Sequence, residues 1–218
     1  ILNLCVISGE GLRDKKYALK PGDYPCLVLV EVKTSSGGVQ YLNGCLVTLS
    51  WVLTLSEFLY RVTNRPPPNL EVCVYAGLVS MAEISSSVNR SVKRLVPDEV
   101  SFRSHQDPAL VLLQLRSPFL RSKDISPATI NVGMLSTESR IVGWVRDQDT
   151  QTFSHAVFSD VESFSGKVCN RRYNMVQYRE QMCVYVDPDT PHLEDSALLV
   201  NNGYLTAFKQ LDSYALSP

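Results

Sequence analysis

Cysteine and histidine are the side chains that most readily carry redox or metal chemistry in this chain. The sequence has six cysteines and three histidines among its 218 residues. His105, His155 and His192 lack partners at metal-ligand spacing, so the sequence predicts neither a metal site nor a cofactor. Six cysteines indicate an oxidising compartment, where disulfides persist. We therefore expect a secreted or extracellular, disulfide-bonded protein.

Composition excludes several classes of partner. The formal net charge is −1, and neither a polybasic run nor an acidic tail is present, so nucleic acid and membrane surfaces are not expected to bind. No apolar stretch reaches the roughly 18 residues that a membrane-spanning helix requires. The segment Ile1 to Ile7 lacks the basic start and long apolar core of a signal peptide.

Three polar residues lie at notable places in apolar sequence. Glu57 lies in W-V-L-T-L-S-E-F, Asp107 opens D-P-A-L-V-L-L-Q-L, and Ser196 lies in E-D-S-A-L-L-V. These runs resemble W-V-L-T-A-A-H-C, D-I-A-L-L-K-L and G-D-S-G-G-P-L-V of the trypsin/chymotrypsin-like serine proteases, in the same order. L-N-G-C-L-V, which starts at Leu42, resembles that family's C-G-G-S-L-I.

Shorter matches support the same register. A-L-K-P-G-D-Y-P at Ala18 to Pro25 resembles the family's entry to its first long strand. Val92 to Pro97 resembles V-x-R-I-x-x-H-P, and Val142 to Trp144 resembles S-G-W-G. The resemblance covers residues 12 to 210 and implies two packed β-barrels.

The resemblance also implies that catalysis has been lost. Asp107 and Ser196 match the triad aspartate and nucleophile, but Glu57 stands in place of the general-base histidine. A serine hydroxyl needs a base such as imidazole, and two carboxylates sharing one site would retain a proton instead. Glu194 replaces the oxyanion-hole glycine, and its carboxylate would repel a developing oxyanion. Thr190 takes the position at the floor of the primary pocket.

The resemblance implies one disulfide, between Cys169 and Cys183. The family's bridge around the catalytic histidine is missing at both ends, where Leu42 and Phe58 stand, and His192 replaces the first cysteine of the bridge beside the nucleophile. The remaining cysteines allow three pairings, between which the sequence does not choose. They are Cys5, Cys26, Cys45 and Cys73.

Two surface features add candidate sites. Asn89-Arg90-Ser91 fits the N-glycosylation pattern, which predicts a glycan on Asn89. Arginine and tyrosine, which protein interfaces favour, alternate between Cys169 and Cys183 and mark a candidate partner surface, with a solvated charged loop as the alternative. The residues are Arg171, Arg172, Tyr173, Tyr178 and Arg179.

Strand patterns predict the elements that must hold these residues. Runs rich in β-branched and aromatic residues are typical of strands. They occur at Cys26–Lys33, Gln40–Val47, Glu71–Tyr75, Leu110–Leu115, Arg140–Val145 and Gln181–Val186. Residues 34–38 (T-S-S-G-G) predict a hairpin loop, because glycine tolerates the positive φ of tight turns. Pro66 to Pro68 predict a surface loop.

The predicted fold is all-β, with two six-stranded antiparallel β-barrels of the trypsin-like type in a single homology domain. The first barrel is expected at about 18–105 and the second at about 106–218. The resemblance leaves the second barrel either complete or lacking a strand at its C-terminal end. Residues 1–11 are interpreted as the remnant of a pro-segment or linker.

The expected function is that of a non-catalytic serine protease homologue, which binds or regulates another protein in an extracellular pathway. One alternative is an active hydrolase that uses Ser196 with an unusual base, either Glu57 or a histidine from a loop. Another is a structural subunit within a larger multidomain chain.

Overall fold

The computed structural model describes residues 2–8, 17–34, 37–56, 70–97, 109–130, 139–146, 152–164, 181–186, 193 and 196–209. Within these ranges the chain forms fourteen strands and one 3₁₀ helix, Met81–Glu83. Six of the strands pair antiparallel in the order β3-β4-β5-β8-β7-β6 and close into a barrel. They are β3 (Leu27–Thr34), β4 (Val39–Thr48), β5 (Trp51–Ser56), β6 (Leu70–Ala76), β7 (Val88–Pro97) and β8 (Ala109–Leu115).

Alternation along β3 explains how this first barrel packs. Val28, Val30 and Val32 are all buried and pair with Ala76, Val74 and Val72 of β6, so β-branched side chains fill one face of the ladder. The intervening residues of β3, from Leu27 to Glu31, are buried on the opposite face. A strand that is buried on both faces reads as a continuous apolar run, as L-V-L-V does here.

The hairpin between β3 and β4 confirms the loop expected from its glycines. Gly37 has a φ of +86°, and its N–H donates to the carbonyl oxygen of Thr34 at 2.9 Å. The Thr34 N–H in turn donates to Gly38 O at 2.9 Å. A positive φ is costly for residues with a Cβ atom, so glycine suits this position.

The remaining eight strands form a second sheet. Its main path runs β1-β12-β11-β10-β13-β14-β9, and β2 pairs with β11. The strands are β1 (Leu2–Ser8), β2 (Tyr17–Ala18), β9 (Thr129–Ile130), β10 (Ser139–Arg146), β11 (Phe153–Phe164), β12 (Gln181–Val186), β13 (Leu198–Asn201) and β14 (Tyr204–Lys209). All β–β pairs in the first barrel are antiparallel, whereas β1 and β9 join this sheet in parallel.

Strand β1 closes the second sheet into a ring. It pairs with β12 over Asn3 to Ser8 and with β14 over Leu2 to Leu4. The edges of β12 and β14 are therefore paired. The sequence had left open whether the second barrel lacks a strand. Residues 1–11 were interpreted as a remnant of a pro-segment or linker; the structure places residues 2–8 in the second sheet, and the origin of this segment stays a prediction.

The boundary between the two barrels differs from the expected division at 105/106. Strand β8 pairs with β5 and β7, so the first barrel extends to Leu115. Residues 17–18 pair with β11 and belong to the second sheet. The all-β double-barrel class and all six predicted strands are confirmed, whereas the sequence did not predict β5, β7, β11, β13 and β14 as strands.

The two sheets share a continuous apolar core. Alternate residues of β10 divide between two clusters: Val142 and Trp144 pack with the first barrel, whereas Ile141 and Val145 face the interior of the second sheet. Strand β13 divides in the same way, with Leu198 on the shared side. This packing brings the start of β13 against β4, where the candidate site lies.

Candidate functional site

Ser196, the residue at the nucleophile position, lies in the contact between the two sheets. It immediately precedes Ala197 and β13, and the nearby Leu193 forms an isolated bridge with Val145 of β10. Ser196 is fully buried at 0% exposure and has a φ of +65°. Its Oγ accepts a hydrogen bond from the Asn43 backbone N–H at 2.9 Å. Ser196 therefore joins β4 of the first barrel to the turn that leads into β13.

Asn43 extends this contact through its side chain and its carbonyl. Its Oδ1 accepts from the Trp144 backbone N–H at 2.8 Å, and its carbonyl oxygen accepts from Thr54 Oγ1 at 2.6 Å. Asn43, Thr54, Trp144 and Ser196 are each 0% exposed. We call these four residues the Ser196 cluster. It contains hydroxyl, amide and indole groups and no side chain that ionises at neutral pH.

Close approach of the strands at this junction requires Gly143. A Cβ atom added there would lie 2.9 Å from Ala197 Cβ and 2.9 Å from Asn43 Oδ1, closer than atoms pack without displacement. The glycine of the V-G-W sequence thus makes room for the Asn43 amide. It lies on β10 beside Trp144, whose backbone N–H donates to that amide's oxygen.

The other two triad positions, Glu57 and Asp107, lie outside the described residues. The strands that lead to them are described: Ser56 ends β5, Ala109 begins β8, and the two residues are Cα partners in an antiparallel pair. The chain therefore leaves β5 toward Glu57 and enters β8 from Asp107 at one end of the first barrel. Thr54 of the Ser196 cluster lies two residues before Ser56 on the same strand.

Several further predicted site residues also lie outside the described part of the chain. Thr190 and Glu194 are among them, as is Cys169. So is the whole candidate partner surface, which comprises Arg171, Arg172, Tyr173, Tyr178 and Arg179. Cys183 lies on β12, where its Cα partner on β1 is Cys5. The Cys169–Cys183 disulfide and the partner surface stay predictions.

Asn89 is exposed on β7, and Ser91 of the same sequence pattern is exposed as well. A glycan at this position would project from the first barrel, so the structure leaves room for the predicted modification and does not test it. Of the three histidines, His155 lies exposed on β11 with its Nδ1 2.9 Å from Ser154 Oγ. His105 and His192 are outside the described ranges.

A second polar cluster lies on the first barrel and was not predicted from the sequence. Glu31 of β3 is only 5% exposed, and its carboxylate accepts hydrogen bonds from the phenol groups of Tyr41 and Tyr75, each at 3.1 Å. Lys33 Nζ lies 2.7 Å from Glu31 Oε1. We call Glu31, Lys33, Tyr41 and Tyr75 the Glu31 cluster. Tyr41 also contacts the ring of Phe153, with centroids 5.4 Å apart.

Burial and the Glu31 charge alter the acidity of both tyrosines. Burial, followed by the negative charge of Glu31, raises the pKa of Tyr75 to about 12. The same two causes raise the pKa of Tyr41 above its ordinary value. The hydrogen bond to Glu31 raises the pKa of Lys33. Each phenol thus remains a neutral donor to the carboxylate at physiological pH.

Each of these two clusters carries a signal in the sequence. Asn43 stands where the resemblance has a glycine in C-G-G-S, and a side chain at that place is a departure that marks the Ser196 cluster. Glu31 carries a weaker signal, since it is one acidic residue in the apolar run L-V-L-V-E-V. The two phenols that donate hydrogen bonds to it are 10 and 44 residues away in sequence.

Within the described ranges, no three His, Cys, Asp or Glu side chains are grouped so that they could hold a metal ion. No helix in the same part of the chain has the length and apolar character of a membrane span.

Comparisons with known proteins support the fold. No protein-family model matches the chain. Serine protease SP24D of Anopheles gambiae is 31% identical over 118 residues, which are 53% of this chain and 41% of that protein. The chain thus spans about two fifths of the length of this curated relative.

Two solved structures match over nearly the whole chain. The first, described as "Structure of GrC", has a TM-score of 0.67 and 17% identity, with 96% of this chain and 91% of that chain covered. The second, kallikrein-related peptidase 10, has a TM-score of 0.62 and 19% identity over 93% of this chain and 88% of that chain. At these identities the two structures establish the fold. The chain thus has the double-barrel fold of the trypsin/chymotrypsin-like serine proteases, and over 118 residues its sequence is similar to that of a serine protease.

Proposed function

We propose that this chain is a catalytically inactive serine protease homologue that acts by binding another protein in an extracellular pathway. The proposal has two parts, the absence of serine hydrolase activity and the presence of a protein-binding role. Each part rests on different residues and has its own experiment.

The burial of Ser196 is the observation that carries the first part. A nucleophilic hydroxyl must reach a substrate carbonyl and must pass its proton to a neighbouring base. Ser196 has no exposed surface, and its oxygen already accepts a hydrogen bond from the Asn43 N–H at 2.9 Å. Substrate contact would require the groups that cover Ser196 to move. This arrangement supports a structural role for the hydroxyl.

The residue types at the other family positions support the same conclusion. Glu57 replaces the imidazole base, and a carboxylate beside Asp107 cannot be oriented as an aspartate orients histidine. Glu194 replaces the glycine of the oxyanion hole, where the loss of one donor costs on the order of 3 kcal/mol of barrier. The residue types at the general-base position and at the oxyanion hole therefore both disfavour catalysis, independently of the burial of Ser196.

Labelling by a fluorophosphonate probe tests inactivity. We expect the folded protein to show no labelling that depends on Ser196, when wild type and Ser196→Ala are compared with an active serine protease as positive control. Heat-denatured protein controls for non-specific reaction. Labelling of wild type that disappears in Ser196→Ala would contradict the proposal and would point to an active hydrolase with an unusual base.

A protein-binding role is supported by the sequence between Cys169 and Cys183. Arginine and tyrosine are enriched at the energetically important positions of protein interfaces. A double barrel displays such a loop on a rigid frame, and binding functions are carried by sites on a fold rather than by the fold itself. We further propose that the protein is secreted, since six cysteines suit an oxidising compartment.

Capture of a partner from the native extracellular fluid tests the binding role, with a loop variant as comparison. We expect wild type to retain a specific protein that the triple variant Arg171→Ala, Arg172→Ala, Arg179→Ala does not retain. A matched control removes three exposed cations of the first barrel, Lys93, Arg94 and Arg116, and should bind as wild type does. Equal retention by both triple variants would contradict a partner surface in this loop.

A further inference from the structure

Two buried cysteines lie side by side in the first barrel. Cys26 occupies the turn that leads into β3, and Cys45 lies on β4, where its Cα partner is Leu27. The backbones are joined at this point, because the Leu46 N–H donates to the Cys26 carbonyl at 2.8 Å. Cys45 is 0% exposed and Cys26 is 9% exposed. Both are thiols in the structure, and their side chains are hydrogen-bonded to each other.

The two thiols differ in acidity and in access. The hydrogen bond from Cys45 lowers the pKa of Cys26, against the opposing effect of burial. The hydrogen bond to Cys26, followed by burial, raises the pKa of Cys45 well above its usual value. The thiolate form is the nucleophile in disulfide exchange, so Cys26 is the thiol that reacts first. Its turn also contains Pro21, Gly22 and Asp23, all of which are exposed.

We infer that Cys26 and Cys45 form a redox-active pair that closes to a disulfide between the turn before β3 and strand β4. The two cysteines are adjacent across paired backbones, where Leu27 is the Cα partner of Cys45 and the Leu46 N–H donates to the Cys26 carbonyl oxygen, and their side chains interact through a hydrogen bond. This inference is independent of the proposed function. Cys26–Cys45 is one of the bridges that the sequence left open.

The reaction consumes an external disulfide, for which glutathione disulfide is the probe. The Cys26 thiolate attacks one sulfur of that disulfide, which forms a mixed disulfide and releases one glutathione thiolate. Cys45 gives its proton to that released thiolate and then attacks the Cys26 sulfur, which displaces the second glutathione. Two electrons pass from the two cysteines to the oxidant, and the two protons of the cysteine thiols end on two molecules of reduced glutathione.

The other cysteines in the described ranges are placed differently. Cys73 lies half-buried on β6, and its thiol hydrogen-bonds Ser91. Burial raises the pKa of Cys73. Cys5 lies on β1 in the second sheet, whereas Cys26, Cys45 and Cys73 all belong to the first barrel or the turn leading into it. Cys73 is therefore a matched control: a thiol of the same barrel, with a different hydrogen-bond partner.

A Cys26–Cys45 bridge would act near the Ser196 cluster. Cys45 is two residues from Asn43 on β4, the strand whose N–H holds Ser196. The resemblance leaves this strand without the bridge expected at Leu42 and Phe58. The proposed disulfide ties the same strand to the turn before β3, through a loop that runs from residue 26 to residue 45.

Peptide mapping of the full 218-residue chain tests the pair directly. The protein is equilibrated in a buffer rich in glutathione disulfide, alkylated in denaturant without reductant, and digested with trypsin. Trypsin places the two cysteines in separate peptides, 17–33 and 34–61. We expect these peptides to be recovered joined, with two hydrogens fewer than their sum, in wild type and in Cys73→Ala.

Thermal unfolding supplies a second readout. We expect reductant to lower the Tm of wild type and of Cys73→Ala by the same amount. In Cys26→Ala/Cys45→Ala the decrease in Tm on reduction should be smaller than in wild type by about 6–12 °C. Recovery of both peptides in alkylated form from the oxidising buffer would overturn the inference, as would linkage of either peptide to a different cysteine. If the double variant does not fold, the wild-type peptide map decides alone.

Discussion

The Ser196 cluster and the Glu31 cluster are both built on β4 of the first barrel, only two residues apart at Asn43 and Tyr41, yet their chemistry is opposite. Every member of the Ser196 cluster is 0% exposed, and none ionises near neutral pH. The Glu31 cluster holds a carboxylate, an ammonium and two phenols, and the side chain of Lys33 remains 45% exposed. Among the described residues, the one at the nucleophile position is fully buried, and the ionisable groups of the Glu31 cluster lie elsewhere on the first barrel.

Solvation explains this division. Neutral hydroxyl and amide groups can be buried completely when they are hydrogen-bonded, as Ser196 and Asn43 are. A buried carboxylate requires a cation and further donors, and an ammonium that keeps contact with water reduces the desolvation penalty. Strand β4 therefore places its neutral cluster where both sheets bury it completely, and its charged cluster where the Lys33 side chain still reaches solvent. Four substitutions test the comparison, in order of decreasing effect.

Truncation of Trp144 should have the largest effect, since its fully buried ring lies in the core that joins the two sheets. We expect Trp144→Ala to lower the free energy of unfolding by about 3–5 kcal/mol, measured by urea denaturation. Trp144→Phe is the matched control and should cost much less. It keeps most of the apolar ring, and it removes an indole N–H for which the described residues provide no partner. Similar losses for both variants would contradict packing as the cause.

Ser196→Ala should destabilise the protein by about 1–3 kcal/mol, because the buried Asn43 N–H would lose its acceptor. The free energy of unfolding from urea titrations measures this loss. Ser117→Ala, at an exposed serine just after β8, should stay within about 0.5 kcal/mol of wild type. If the two serine variants were equally stable, Ser196 would not have the structural role assigned to it.

Glu31→Gln should cost about 1 kcal/mol, less than Ser196→Ala. The amide oxygen still accepts one phenol hydrogen bond, and Lys33 remains solvated when its partner loses charge. The loss should diminish at high salt, because screening weakens the ion pair in the wild type. Glu71→Gln, on the neighbouring strand β6, removes an exposed carboxylate and serves as the control. A cost independent of salt would indicate that the charge is not involved.

The smallest effect concerns alkaline pH. The pKa of Tyr75 is about 12 in the folded protein and 10.0 for the ordinary group, so the folded state holds this proton more tightly than the unfolded state. The resulting stabilisation is fully present below pH 10 and is lost as the pH rises to about 12. The Tm of wild type should therefore fall more than the Tm of Tyr75→Phe as the pH rises through this interval. In a Glu31→Gln background the difference should shrink, and an unchanged difference would contradict the role of the carboxylate.

Local pattern predicted much of the first barrel. The apolar, β-branched runs at Cys26–Lys33 and Gln40–Val47 became β3 and β4, and the glycines between them became the hairpin loop. These features depend on side-chain alternation and on turn residues, which are local properties of the chain. The parallel pairing of β1 with β12 and β14 was not predicted, because its partners are about 180 and 205 residues away in sequence.

The sequence by itself determined the fold class, the family resemblance and the residue types at the triad positions, since each follows from local pattern or from motifs in order. Only the tertiary structure decided that Ser196 is buried and hydrogen-bonded to Asn43, and that Cys26 lies beside Cys45. The same holds for the contacts of Glu31 with Lys33 and two tyrosines. Ser196 and Asn43 are 153 residues apart in sequence. Burial and hydrogen bonding between such distant residues depend on how the sheets pack, and it is this packing that decides whether a hydroxyl or a thiol can react.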